Sequence, residues 1–296
     1  MTGIRASLLL LAWVPAMAGA ALEPQVRRVY VSAVDKNGAP VVDLTAADFT
    51  LKENGKERPI LSVTPATGLL QIAILVDDNG TGLFRVSVAR FIESLLNRAE
   101  FSISTVTGQM LKLVDYTSRA EPLSEAIGKL NARPATNDGG QLLDGISETS
   151  LELQRREARR PVIVALTVGG QEHSTLPAHH VLDNLRKSGA SLHVLTVVNN
   201  TLRSQPTATS AAGLLGENMN LGEVLGDGPK QSGGQRDEIV AAAGAMTGLQ
   251  HLAESLKRQY VIEYTLPDGV KPSGKLNVSL KRRGVTLHAP TRIPDK

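Results

Sequence analysis

From Leu70 onward, short apolar runs alternate with amphipathic stretches. Strand-length runs fall at Gln71 to Val76, Phe101 to Thr107, Leu111 to Tyr116, Pro161 to Val168 and Ser191 to Val198. Between them, Phe84, Val88, Phe91, Ile92 and Leu95 share one helical face, as do Leu123, Ile127 and Leu130. Leu142 to Leu153 and Ala178 to Ser188 repeat the helical period. Strands alternating with helices predict a mostly parallel, doubly wound sheet covered on both faces. Gly108 to Met110 is too short for a crossover, so Leu111 to Tyr116 is predicted antiparallel, at or near the sheet edge.

The flanks follow a period of two. Val26, Val29, Val31 and Ala33 lead into an Asp35-Lys36-Asn37-Gly38 turn. Phe49 to Glu53 runs into Asn54-Gly55, a hairpin signal because both central residues of a type I′ turn take positive φ. Arg58 to Val63 is the expected return strand, with Pro59 confining it to an edge or a strand start. After a helix expected over Asp237 to Met246 and another over Leu249 to Arg258, Tyr260, Ile262 and Tyr264 alternate, and so do Leu276, Val278 and Leu280. Residues 199–236, rich in Asn, Ser, Thr, Gly and Gln, are expected to form a flexible loop with at most a short helix near Ala211 to Leu215.

Composition narrows the function. Arg5, the apolar run Leu8 to Val14 and the small residues to Ala20 form a secretory leader, so the mature protein is expected in the periplasm or outside the cell. No later run is long enough to span a bilayer. The absence of cysteine excludes disulfides, thiolate metal sites and a lipidated N-terminal cysteine. A net charge of +3, reduced by one when Arg5 leaves, argues against nucleic acid. The single tryptophan, Trp13, lies in the leader, and aromatics make up 3% of the chain, so stacking platforms are not expected.

The candidate chemistry sits where Ile72 to Val76 runs into Asp77-Asp78-Asn79-Gly80-Thr81-Gly82. A buried parallel strand ending this way delivers a polar site to the carboxyl edge of a sheet. Alternation lets Asp77, Asn79 and Thr81 converge. Pro40-Val41-Val42-Asp43-Leu44-Thr45, Asp48-Phe49, Leu51, Glu53 and Gly55 before the αβ region, and Thr247-Gly248 with Tyr260-Val261-Ile262-Glu263-Tyr264 after it, resemble the VWFA-related family best known from Acidobacteria. The resemblance covers most of the mature chain. It implies a leader over 1–20, an N-terminal β segment over 21–68, a von Willebrand A-like domain over 69–258 and a C-terminal β segment over 259–296 that packs with the first.

That family's domain commonly holds Mg²⁺ or Mn²⁺ through Asp-x-Ser-x-Ser, a threonine after Gly-Gly, and the aspartate of Leu-Thr-Asp-Gly. Here Asp77, Asn79 and Thr81 stand at the first element. Gln141 replaces the threonine after Gly139-Gly140, and Val168 replaces the aspartate in Leu166-Thr167-Val168-Gly169. A hard dication depends on anionic oxygens, so the resemblance implies lost or weakened binding. The implied function is non-catalytic binding of a protein partner without a cofactor, through an edge bearing Asp77, Asp78, Asn79, Thr81, Gln141 and Glu172.

Val76 to Thr81 is also similar to the haloacid-dehalogenase phosphatase motif, with Asp77 as nucleophile and Thr167, Lys187 and Asp227 in support. Asn79, however, stands where that chemistry needs a proton-transferring aspartate. Glu172-His173 and His179-His180 lack a spacing that unites them on a transition metal, and the adjacent rings are expected to diverge. Gly139-Gly140 and Gly169-Gly170 read as turn glycines.

Overall fold

Apolar alternation sets the architecture of the computed structural model, which describes residues 25–130, 140–169, 172–198, 211–267, 269–270, 272 and 274–294. The expected leader lies outside the described residues. In chain order the N-terminal strands are β1 (Gln25–Asp35), β2 (Phe49–Glu53), β3 (Lys56–Glu57) and β4 (Ile60–Pro65). The αβ region follows: β5 (Leu70–Asp77), α1 (Arg85–Leu95), β6 (Ala99–Thr105), β7 (Leu111–Thr117), α2 (Ala120–Gly128), α3 (Leu142–Arg155) and β8 (Pro161–Thr167). It continues with α4 (Ala178–Ser188), β9 (Ser191–Val197), α5 (Ala211–Ser232), β10 (Arg236–Ile239) and α6 (Ala242–Lys257). The tail supplies β11 (Tyr260–Leu266), β12 (Leu276–Leu280) and β13 (Val285–His288).

The central sheet runs β10-β9-β8-β5-β6-β7. All its pairings are parallel except β6 with β7, which is antiparallel at the edge as the short 108–110 interval predicts. Its order reverses at β5, so the crevice between β5 and β8 is the switch point where open α/β sheets carry their sites. Side chains of β5 divide by parity. Ile72, Ile74 and Val76 join a core with Val88, Phe91, Leu123, Leu249 and Leu252, so α1, α2 and α6 cover one face. Leu75 joins Leu142, Ile146, Val181, Leu185, Val224 and Leu225, so α3, α4 and α5 cover the other. Each such buried aliphatic or aromatic side chain contributes roughly 1.5–3 kcal/mol. Helix α4 stops at Gly189, whose φ of 68° gives a left-handed cap without the strain a Cβ would add.

The two flanks form one β unit. In its four-stranded sheet, β1 lies between β13 and β11, and β4 pairs with the far side of β11. A second sheet runs β12-β2-β3. Val29, Val31, Phe49, Leu51, Tyr260, Ile262 and Tyr264 fill the core between them. Asn54 and Gly55 close the β2–β3 hairpin at φ of 50° and 76°. The hairpin returns through Lys56–Glu57 (β3) and not through the expected Arg58 to Val63, whose residues from Ile60 belong to β4 and join β11 instead. Pro59 lies between them and cannot donate to a ladder, which makes it a natural point for the chain to change sheets.

Two expectations are corrected. Residues 211–232, expected as part of a loop over 199–236, form helix α5. Its sequence reads as a loop because interior glycines cost about 1 kcal/mol each and Pro229 removes a donor. Packing compensates: Val224 and Leu225 are buried, and Gly228 lets the helix approach Leu192 of β9. Second, Asp237 does not begin a helix. Residues Arg236–Ile239 form the final parallel strand β10, and one continuous helix α6 absorbs Thr247-Gly248. The polar sequence Arg-Asp-Glu-Ile suits a sheet edge, where charge discourages pairing with other chains. Among the described residues no helix is long and apolar enough to cross a membrane.

Candidate functional site

Strand β5 carries Asp77 to the carboxyl edge at the switch point, beside Thr167 at the end of β8. Asp77 is 8% exposed, and Thr167 donates its hydroxyl to Asp77 Oδ2 at 2.7 Å. Burial pushes the Asp77 carboxyl up to about 6, opposed by the Thr167 hydrogen bond and reinforced by the charge of Asp78. Gly140 lies directly against this carboxylate. A Cβ there would stand 3.0–3.2 Å from all three of its carboxyl atoms. The missing side chain of Gly140 thus allows this close approach. Gly169, at φ 68°, is the turn glycine its motif suggests, and its N–H donates to the Thr167 hydroxyl.

Glu172 closes the other side of Gly140. The two residues form a parallel bridge, and the His173 N–H donates to the Gly140 carbonyl at 2.7 Å. The Glu172 carboxylate accepts the Leu142 and Leu143 N–H groups at 3.3 and 3.2 Å. It therefore caps α3 from a distant loop, while Gln141 at the cap position contributes no side-chain bond. The Ser174 hydroxyl donates to Glu172 and accepts the Asp144 N–H, and Asp144 in turn accepts the Thr175 and Leu176 N–H groups. Sequence reasoning placed Glu172 at the edge but missed this exchange with Ser174 and Asp144. The acidic residue in the first turn of α3, thirty residues before Ser174, was its only signal.

The other expected site residues separate. Asp78 is 1% exposed and accepts the Gly80 N–H at 3.1 Å; burial raises its carboxyl, against backbone donors from Gly80, Gly82 and Leu83. Asn79 at φ 53° and Gly80 at φ 71° turn the chain out of the strand directly after Asp77 and Asp78. Thr81 is exposed, and its hydroxyl accepts the Leu83 N–H at 3.3 Å. Val168, where a third acidic ligand would stand, is 2% exposed within the apolar core. Among the described residues no three His, Asp or Glu side chains group as metal ligands. Val168 offers no oxygen at the position where the resemblance places an anionic ligand, and a hard dication such as Mg²⁺ or Mn²⁺ takes several free oxygens around one point.

The phosphatase arrangement does not assemble either. Lys187 lies in the last turn of α4, at the amino edge opposite Asp77, with its ammonium 2.6 Å from Asp183. Asp227 sits in α5, paired with Lys230 at 3.6 Å, and not at a strand end. The His179 and His180 rings do not diverge as expected; they stack with centroids 4.4 Å apart.

Burial of Glu172 has a measurable sign. Desolvation pushes its carboxyl up to about 7, partly offset by Ser174 and the Leu143 N–H and reinforced by Asp77. The unfolded value is 4.5, so between about pH 4.5 and 7 the folded state holds the extra proton. Stability contributed by Glu172 therefore falls as pH rises through that window. Lowering pH from 8 to 6 is expected to stabilise the protein by about 1 kcal/mol relative to Glu172→Gln under the same change. The variant reference removes the opposite trend of buried His193, whose ring burial pushes down to about 3. Urea unfolding of both proteins at the two pH values reads the difference; identical shifts would remove the assigned role of Glu172.

No family model matches the chain, and no curated protein matches it. Solved structures similar to it include a von Willebrand factor type A protein from Catenulispora acidiphila, at 11% identity and a TM-score of 0.49, covering 92% of this chain and 74% of that one. Proximal thread matrix protein 1 from the mussel byssus matches at 12% identity and a TM-score of 0.46, covering 76% and 50%. The conserved hypothetical protein BatB from Bacteroides thetaiotaomicron matches at 14% identity and a TM-score of 0.43, covering 64% and 100%. The chain spans about half the length of the mussel protein structures it matches.

Proposed function

We propose that this chain is an exported, non-catalytic protein-binding module of von Willebrand A type whose carboxyl edge binds its partner without a divalent cation. The observation that carries the reading is the buried Asp77 carboxylate, held by Thr167 against Gly140, with apolar Val168 beside it. A hard cation favours several anionic oxygens, and here the neighbouring position is the apolar Val168. The same edge exposes apolar side chains where a partner would cover them: Val86 is 59% exposed and Val240, just past β10, is 82% exposed. Val86 opens α1 after β5, and Val240 follows β10 at the outer edge of the sheet.

Capture from the cell-envelope fraction tests the proposal. A partner retained equally with Mg²⁺ and with chelator, and lost with Val240→Asp while the melting temperature holds, is the expected result. Loss of the partner on chelation would contradict cation independence. Turnover of p-nitrophenyl phosphate that disappears in Asp77→Ala would replace the binding module with an enzyme.

A further inference from the structure

At the amino edge of the sheet, opposite Asp77, the parallel strands begin. Strands β5, β6, β8 and β9 open there at Leu70, Ala99, Pro161 and Ser191, and α6 closes there at Lys257. Val42, Leu69, Arg98, Lys257 and Arg258 line one groove on this edge, and among the described residues no Asp or Glu lines it. Arg98 and Arg258 are exposed, and neither has a carboxylate partner among the described residues. Lys257 takes Glu254 at 2.7 Å. Arg159, in the entry to β8, is a further exposed arginine without a carboxylate among the described residues. A cation suits the end of α6 through the helix dipole, but Arg98 and Arg159 stand outside helices, in the entries to two strands.

Apolar side chains stand among these charges. Leu69, in the β4–β5 connection, is 48% exposed, and Val42 beside the same groove is 60% exposed. Acids gather at the other edge instead, at Asp77, Asp78, Asp144 and Glu172. Strands of seven or eight residues set the two edges about 20 Å apart. Charge is therefore polarised along the strands. The chain also enters the fold on this side, because Arg160 lines both the groove and the neighbouring cavity that holds Gln25. Only residues 15–24 lie between Gln25 and the apolar run Leu8 to Val14, a reach of at most about 35 Å. While the expected leader is held in the bilayer during export, this edge stays close to lipid.

We propose that the amino edge docks the protein on an anionic lipid surface, with Arg98, Arg159 and Arg258 on the headgroup phosphates and Leu69 in the interfacial layer. An anionic leaflet attracts every basic side chain near it without requiring one fixed geometry, so arginines spread along an edge suit it better than they suit a single ligand. Guanidinium groups take phosphate oxygens through paired N–H donors. An apolar side chain beside them adds burial at the boundary of the acyl chains. Docked in this way, the protein turns its Asp77 edge away from the membrane. The inference does not depend on what that edge binds.

Flotation of the mature protein, freed of Leu8 to Val14, with vesicles of phosphatidylcholine containing about 30% phosphatidylglycerol tests the proposal. Binding to these vesicles and not to pure phosphatidylcholine is expected, and it should fall steeply in about 0.5 M NaCl. Arg98→Ala and Arg258→Ala should each weaken binding about fivefold. Leu69→Ser should weaken it as well. Melting temperatures should hold in all three variants because the side chains are exposed. Arg85→Ala removes the same charge at the opposite edge, where Arg85 opens α1, and should change nothing. An equal loss in Arg85→Ala would mean that net charge and not this edge drives binding, and would overturn the proposal. Equal binding to pure phosphatidylcholine would overturn it too. Absence of vesicle binding would do the same, and arginine-dependent binding to polyglutamate in its place would assign the edge to an acidic protein.

Discussion

Gly234→Ala is expected to abolish folding. A Cβ at this position would lie 1.8 Å from the Leu192 carbonyl oxygen and 2.5 Å from its carbon. These are backbone atoms of β9, which pairs with β8 on one side and β10 on the other, so neither strand can move aside without losing its ladder. Gly234 also passes the chain from α5 to β10, donating its N–H to the Pro229 carbonyl at 2.9 Å. The loss exceeds about 4 kcal/mol, a large part of what holds a domain folded. Gly55→Ala is the comparison. It has open space around it and only a positive φ to strain it, which costs about 1 kcal/mol. Circular dichroism and denaturant unfolding of the two variants separate steric from conformational cost. A Gly234→Ala protein with a midpoint close to that of Gly55→Ala would mean β10 is not seated against β9 as described.

Glu53→Ala ranks next, at about 3–5 kcal/mol of lost stability. Glu53 is 1% exposed, and its carboxylate takes the Arg27 guanidinium at 3.2 Å. Arg58 and Tyr264 are also buried. Desolvation raises the Tyr264 hydroxyl, reinforced by Glu53 and opposed by the charges of Arg27 and Arg58. Without the carboxylate, the buried Arg27 guanidinium loses the anion 3.2 Å away, in the unit that joins β1, β2 and β11. Deleting Arg27 as well restores part of the loss, so the double variant Arg27→Ala, Glu53→Ala should be more stable than the sum of the singles predicts. Strict additivity of the unfolding free energies would show that the pair is not coupled.

The αβ core was legible in the sequence because burial on both faces writes long apolar runs. Ile72 to Val76 and Pro161 to Val168 admit little else, and the short interval before Leu111 fixed the antiparallel edge. Helix α5 and strand β10 were not legible, for opposite reasons. The first carries glycines that sequence rules count against a helix, one of which, Gly228, packs closely on Leu192. The second is a charged edge strand with no apolar run to announce it. The candidate site was half legible. Position placed Asp77 and Glu172 at the carboxyl edge, with Gln141 and Val168 where the resembled motif has a hydroxyl and a carboxylate. The partners that Asp77 and Glu172 take, Thr167 and the start of α3, depend on loops brought together by the fold. No local spacing encodes that meeting.

The most direct test of a cation-independent edge is thermal unfolding at pH 7 in chelator, then in excess Mg²⁺ and in excess Mn²⁺, for the wild-type protein and Asp77→Ala. A cation that binds only the folded state must raise the melting temperature with concentration. The account predicts the same melting temperature in all three conditions for each protein, with Asp77→Ala lower throughout because it removes the acceptor of the buried Thr167 hydroxyl proton. A rise with Mg²⁺ or Mn²⁺ in the wild type that Asp77→Ala abolishes would contradict it.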